Sequence, residues 1–315
     1  MLANNNKMII NKLAKNSVKS NKKQYGILFF TIVLSAFMLF CVFTIGLTYL
    51  DSSRLQNTRL NGAEYDITTM NGFTSKQVKS LQSNKNIQNV GMESYAGFIK
   101  SSEFDNTVEI GLLWCDETFW NNLMSPARTK LDGHYPQNKN DLMVTKDILK
   151  ACGNENLSVG DSIVLTYENN TGVHTDKFVI SGIWNGYGDK SAGFVSKNFY
   201  DETGYDLKND GILCIKLNRN YVLPTTIQSL EKSLNFSDRQ IFAPTDYIEN
   251  SFKLLLGICG LALVICLSAY LLIYNILYLS ISGKIRYYGL LQSLGMTKKQ
   301  LVCFIIRQMI FIGIL

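Results

Sequence analysis

Residues 24–50 read QYGILFFTIVLSAFMLFCVFTIGLTYL, 27 positions without a charged side chain. A bilayer hydrocarbon core is crossed by roughly 20 apolar residues rising ~1.5 Å each, so this run spans with about two turns to spare. A second run, Leu254 to Gly283, holds 30 uncharged residues. At ~1.5 Å per residue it reaches about 45 Å, so one end is expected to continue as a helical stalk beyond the membrane. A cleaved signal peptide is the competing reading of the first run. Signal h-regions are only about 7–15 residues and end in an A-x-A-like site, whereas this run ends at Thr48-Tyr49-Leu50-Asp51.

Charge is sorted around these two runs. Every carboxylate side chain lies between Asp51 and Glu249. The first 24 residues hold six lysines, and Asn250 to Leu315 hold six Lys or Arg, both without an acid. The middle carries 19 basic and 25 acidic residues, so it is net −6 between flanks that sum to +12. Lys and Arg collect on the cytoplasmic side of membrane spans. The reading is a plasma-membrane, multi-pass chain with its N-terminus cytoplasmic and a large domain outside. The overall net charge of +6 hides this arrangement and gives no reason to expect nucleic acid as a partner.

The expected organisation follows. Residues 1–23 form a cytoplasmic basic amphipathic segment, with Met8, Ile9, Leu13 and Val18 near one side, suited to anionic lipid. Residues 24–50 are the first span, 51–250 the extracytoplasmic domain, and 251–281 the second span. Residues 282–300 form a cytoplasmic helix and turn. Residues 301–315, LVCFIIRQMIFIGIL, begin a third span. Fifteen residues cover only about 22 Å, so the chain is expected to be the N-terminal part of a longer membrane protein or the product of a truncated gene.

Within the outside domain, Glu64–Met70, Gly91–Lys100 and Val108–Cys115 read as strands, with a helix capped by Thr74 or Ser75 after the first. The order recurs later: Gly211–Leu217 as strand, Thr225–Leu234 as helix, Arg239–Ala243 as strand. Two β-α-β units flanking an insertion predict a split α+β layer with a mainly-β subdomain inserted at about residues 130–200. Inside the insertion Leu142–Val144 is a short strand, and Thr145 caps a helix ending at Gly153. Ser162–Tyr167 and Lys177–Trp184 form a hairpin around Asn169–Gly172. Trp114, Phe119 and Trp120 are assigned to the core, and the glycine-rich stretch Asn185–Gly193 to a hairpin connection. The fold class is an α-helical membrane protein with a large α+β extracytoplasmic domain.

The segment from Ser282 to Gln300 carries the most functional promise. Tyr287, Leu290, Leu291 and Leu294 recur at i, i+3, i+4, i+7, the apolar face of a short amphipathic helix. Gly295 suits the left-handed position that ends a helix, and Thr297 with Gln300 fits a capping box opening the next one. A rigid helix–turn–helix on the cytoplasmic surface results, its apolar face available to lipid or to a groove on a partner.

Two strings resemble one family. Gly133, Pro136, Asp141, Leu142, Val144, Thr145 and Ile148, then Val159, Gly160, Asp161, Ile163 and Leu165, then Phe178, Ile180, Gly182 and Ile183 match a pattern of the extracytoplasmic core domain of MacB-like, or FtsX-like, ABC transporter permeases. The stretch from Arg286 to Leu301 resembles that family's segment after its second span. The resemblance implies that Arg286, Tyr287, Leu290, Leu291, Leu294, Gly295 and Met296 form a coupling helix docking on a cytoplasmic ABC ATPase subunit. It also implies a homodimer or pseudo-dimer with a second permease half, and mechanotransmission serving peptide or antimicrobial export or resistance. The family has four spans or a duplicated set, whereas this chain stops within the third.

Enzymatic chemistry is not expected. The chain lacks G-x-x-x-x-G-K-[ST], so no cofactor is expected to bind directly and ATP enters through the partner subunit. His134 and His174 are the only histidines, and neither has a metal-ligand or nucleophile spacing. Cys115, Cys152 and Cys214 lie in the outside domain without a disulfide-framework spacing. The alternative function is a two-span receptor or sensor with an extracytoplasmic ligand-binding domain. Such a receptor should continue into a signalling module after the second span.

Overall fold

Lys7–Ser20 forms α1, and Lys22–Asn61 forms α2, a single 40-residue helix. The computed structural model describes residues 7–100, 110–187 and 192–313. The start of the basic segment, the first two residues of the strand expected at Val108, residues 188–191 of the glycine-rich stretch and the last two residues of the chain lie outside the described residues. At ~1.5 Å per residue α2 is about 60 Å long, twice a hydrocarbon core. It therefore persists from the uncharged run into the polar stretch that begins at Asp51. Phe30, Phe37, Phe40 and Ile45 stand exposed along it, and only 6% of its most apolar window is buried. A soluble core helix would cover such side chains; lipid is the solvent that tolerates them.

The chain forms two units, Met1–Thr48 with Leu255–Leu315, and Tyr49–Leu254. In the second, β1 (Ile67–Met70), α3 (Ser75–Gln82) and β2 (Ile87–Lys100) come first, then β3 (Ile110–Cys115). A π-helical turn at Phe119–Leu123 and a 3₁₀ turn at Ser125–Ala127 lead into β4 (Arg128–Gly133) and β5 (Asp141–Val144). Next are α4 (Lys146–Ala151), β6 (Ser162–Asn169), β7 (Gly172–Gly186) and β8 (Gly193–Val195). Short helices α5 (Lys197–Tyr200) and α6 (Leu207–Asp210) precede β9 (Ile212–Leu217), α7 (Pro224–Ser233) and β10 (Ile241–Pro244).

The two β-α-β units interleave. The order β10-β1-β9-β2 is antiparallel at each step, so β1 and β2 run parallel with β9 between them, as in a split β-α-β layer. Thr74 caps α3 in a full capping box with Gln77, closing the turn the sequence marked. Helices α3 and α7 cover one side through Leu81, Ile227, Leu230 and Leu234, packed on Ile67, Val90 and Ile215.

The insertion is continuous with this layer. Pairings run β2–β3, β3–β8, β8–β5, β5–β7, β7–β6 and β6–β2, a six-stranded ring that closes on itself. Its interior holds Ile99, Leu112, Trp114, Leu142, Ile163, Leu165, Phe178 and Ile180. β2 belongs to both parts: Ile87–Glu93 pair with β9, and Glu93–Lys100 with β3 and β6. The register shifts between Tyr95 and Gly97, a bulge that bends the strand from one part into the other. Phe119 and Trp120 are buried beside Trp184, Phe194 and Met143 in a further apolar cluster.

A buried ion cluster ties the end of α2 to the sheet. The Lys216 ammonium on β9 lies 3.3 Å from Glu64 and 3.3 Å from Asp66. Arg54 of α2 reaches the same Glu64 oxygen at 3.2 Å. The Leu217 N–H donates to the Asp66 carboxylate at 2.8 Å. Lys216 and Asp66 are 6% and 1% exposed. Burial pushes the Asp66 carboxyl above its ordinary pKa, against the opposing pull of Lys216 and the Leu217 N–H.

After β10, α8 (Asp246–Ser282), α9 (Ile285–Ser293) and α10 (Lys298–Gly313) complete the chain. α8 is the second helix long and apolar enough to cross a membrane, again with 6% of its window buried. Where α2 passes α8, a Cβ at Gly46 would meet Ile258 at 2.7 Å. Close approach of helices in lipid needs such small residues. Gly257 and Gly260 of α8 face open space instead.

Two outcomes are expected. Lys216→Met leaves Asp66 and Glu64 short of their buried cation and should destabilise the sheet unit by about 3–5 kcal/mol, read as a lower unfolding midpoint of the purified chain. Because the charged carboxylate is the penalised form, native protein holds the extra proton, so the deficit should shrink as pH falls into the carboxyl range; a deficit that grows instead would contradict the assignment. Gly72→Ala should also lower the midpoint. Its φ is +90° and an added Cβ would sit 1.9 Å from the Lys208 carbonyl oxygen, so the backbone conformation alone costs about 1–3 kcal/mol.

Candidate functional site

Two residues separate α8 from α9, and four separate α9 from α10. α9 ends in a Schellman arrangement. The Met296 N–H donates to the Leu291 carbonyl and the Gly295 N–H to the Gln292 carbonyl, both at 3.0 Å. Gly295 takes φ +99°, the left-handed conformation this motif requires. Thr297 then opens α10 with a reciprocal box. Its N–H donates to Gln300 Oε1 at 3.0 Å, and the Gln300 N–H donates to Thr297 Oγ1 at 3.3 Å. Both ends of the turn are satisfied locally, which makes it rigid.

The apolar arc of α9 divides into two faces. Tyr288 is buried with Phe304 of α10 and with Ile10 and Ala14 of α1, and Leu291 packs against this cluster beside Leu13, Leu301 and Ile305. Tyr287, Leu290 and Leu294 remain 41%, 62% and 79% exposed. Arg286 is exposed beside them, and Met296 is half-buried. The seven residues singled out from the sequence thus share one helix and its cap, but Leu291 points inward and serves the local core. Tyr288 was not anticipated; its spacing of three from Leu291 is the signal that finds it.

The covering helix α1 turns Ile10 and Ala14 inward and leaves Met8 and Ile9 exposed. Arg307 of α10 hydrogen-bonds Asn11 of α1. At the start of α9, the Lys284 ammonium lies 5.2 Å from the centre of the Tyr25 ring of α2, a cation–π distance. Burial lowers the Lys284 pKa. The Tyr25 hydroxyl donates to Gln308 Oε1 of α10 at 3.0 Å. One tyrosine thereby joins α2 to the beginning of α9 and to α10.

The two histidines have local structural contacts. His174 Nε2 lies 2.8 Å from Thr171 Oγ1, its ring stacked on Tyr167, and His134 Nδ1 is 3.0 Å from the Tyr135 carbonyl oxygen. No group of three or more His, Cys, Asp or Glu gathers for a metal among the described residues. Among the described residues no two cysteines form a disulfide. Burial pushes Cys115 and Cys214 well above the usual thiol range, which leaves little thiolate near neutral pH.

Comparison with known proteins bears on the same region. Residues 259–315, from within α8 through α9 and α10, match the FtsX-like permease C-terminal family. Among curated proteins, no sequence matches this chain. Among solved structures, the periplasmic region of MacB from Actinobacillus actinomycetemcomitans aligns at 15% identity and a TM-score of 0.42, covering 62% of this chain and 95% of that one. The extracellular domain of the ABC-type transporter YknZ from Gram-positive bacteria aligns at 11% identity and a TM-score of 0.38, covering 56% and 98%. Residues 259–315, the region that holds the capped turn, are thus similar to the FtsX-like permease C-terminal family.

Proposed function

We propose that the chain is the permease subunit of an ABC transporter, in which a separate cytoplasmic ATPase works on α9 and the motion reaches an extracytoplasmic domain. The observation that carries this reading is the capped α9 turn inside the FtsX-like segment, with Leu290 and Leu294 left exposed beside Arg286. A helix held at both ends and backed by Tyr288 and Leu291 moves as a body when pushed. Its outer apolar residues suit a groove on a partner.

The route outward is α2 and α8, each one uninterrupted helix longer than a membrane. Nucleotide-driven association of two ATPases would shift α9, and the shift would pass along these helices to the sheet. A pair of permease halves fits that geometry. Export of, or resistance to, peptides and antimicrobials is the proposed use. The receptor reading calls for a signalling module after α8, and α9 follows there after two residues.

Two outcomes test the proposal. An ABC ATPase should co-purify with the full-length gene product from native membranes. Leu290→Asp with Leu294→Asp should lose it while keeping membrane insertion and the wild-type unfolding midpoint. Leu291→Asp should lose it only with a lowered midpoint, because that side chain is packed inside. Retention by the double variant, or no ATPase with wild type, sinks the coupling role. For orientation, with the native cysteines replaced by alanine, Asn170→Cys at the β6–β7 hairpin should react with an impermeant maleimide in intact cells. Gln292→Cys on α9 should react only after permeabilisation; the reverse pattern would invert the topology.

A further inference from the structure

Near the amino end of α3 and the carboxyl end of α7 the sheet unit holds an open cavity of about 450 Å³, within the range that accommodates small-molecule ligands. Its wall carries Lys76, Lys208 and Arg239 and, among the described residues, not one carboxylate. The sequence between the membrane runs is net −6, so three cations around one hollow run against the local composition. None of the three has an ion-pair partner among the described residues. The acids nearest Lys208 in sequence are engaged with backbone: Asp206 Oδ1 accepts the Lys208 N–H at 3.1 Å, and Asp210 Oδ2 accepts the Asp206 N–H at 2.9 Å; Asp238, next to Arg239 in sequence, does not line the cavity.

The wall itself is built. Buried Gln77 donates from Nε2 to the Leu234 carbonyl and to Gln240 Oε1, both at 3.1 Å. Gln240 Nε2 donates to the Gly72 carbonyl at 2.8 Å. These amides are consumed in holding α3, α7 and the β1 turn together, whereas the cationic side chains are uncommitted. Asn71 and Asn235, the non-glycine residues at positive φ among those described, both line the cavity. Such backbone conformations cost energy and gather at ligand sites. The positive end of the α3 dipole lies at the same wall, through Thr74 and Lys76.

We propose that this cavity binds a phosphorylated, hydroxyl-rich ligand, with Arg239, Lys208 and Lys76 taking the phosphate. Three unpaired cations suit a phosphate dianion better than a single carboxylate. The rest of the lining is almost wholly amide and hydroxyl, with Leu234 as its apolar member, which suits a polyol or sugar body rather than an apolar one. Such a group comes from a small phosphorylated metabolite or from a polyanionic surface polymer.

The test is titration calorimetry on the full chain in nanodiscs, with inorganic phosphate, glycerol 3-phosphate and a short glycerol-phosphate oligomer as probes. Saturable binding with one site per chain is expected. Arg239→Gln and Lys208→Gln should each weaken it ~10-fold or more, the scale of a hydrogen bond to a charged group. Lys79→Gln and Lys85→Gln, outside the cavity, should not. Tighter binding of the oligomer points to a polymer and tighter binding of the monomer to a metabolite, and either ranking supports the site. Absence of saturable binding by all three probes, or equal weakening by Lys79→Gln, overturns it. Unfolding midpoints are measured for every variant; should Arg239→Gln fail to fold, Lys208→Gln and Lys76→Gln carry the comparison.

Discussion

A lysine ammonium removed from water must keep its carboxylates, and Lys216 keeps two. That requirement fixes where α2 meets the sheet. Glu64 lies three residues beyond the end of α2 and Asp66 one residue before β1, so the pair pins the chain at the point where helix becomes strand. Arg54, on the last turns of α2, shares the Glu64 oxygen. The Asp66 backbone N–H donates to the Ile215 carbonyl, and the Asp66 carbonyl accepts the Thr245 N–H, both at 2.9 Å. β1, β9 and the approach to α8 are thus held at one residue. A second tie lies nearby, with the Arg59 guanidinium 4.2 Å from the Tyr187 ring centre.

In the helical unit, an α9 fixed on one side and exposed on the other fits a lever pushed from outside. Tyr288 and Leu291 supply the fixed side, Tyr25 and Lys284 secure its beginning, and Gly295 with Thr297 set its end. Apolar area buried on one face holds the helix to α1 and α10 without using the residues on the other face. In the proposed function rigidity at each station would matter more than affinity, because a soft joint would absorb motion rather than pass it on.

Much of this was legible in the sequence because the signals are local. Uncharged length and the sorting of lysines from carboxylates mark α2 and α8. Threonine caps at Thr74, Thr145 and Thr297 all form as their spacing to Gln77, Ile148 and Gln300 requires. The interleaved β-α-β units were visible as a repeated order of elements. Closure of the six-stranded ring was not, since it rests on pairings between distant strands and on β2 serving two partners. β4 went unseen because five of its six residues are exposed and it reads as polar loop. β8 has only three residues. In α9 the spacing of Leu290, Leu291 and Leu294 gives an apolar arc, but only α1 and α10 decide which side is covered. Lys216, alone within the apolar run Ile212–Leu217, was a readable signal of a buried charge that strand periodicity overlooks.

Under the proposed function, force applied at α9 would reach the sheet unit through α2 and α8. The most direct test is a distance measurement between spin labels at Gln56 on the polar end of α2 and Asn170 at the β6–β7 hairpin, in chain reconstituted with its ATPase, with and without a non-hydrolysable nucleotide. A nucleotide-dependent shift in the distance distribution is expected, and it should disappear when Leu290 and Leu294 are replaced by Asp. A distribution indifferent to nucleotide, in a complex that hydrolyses ATP, would contradict it.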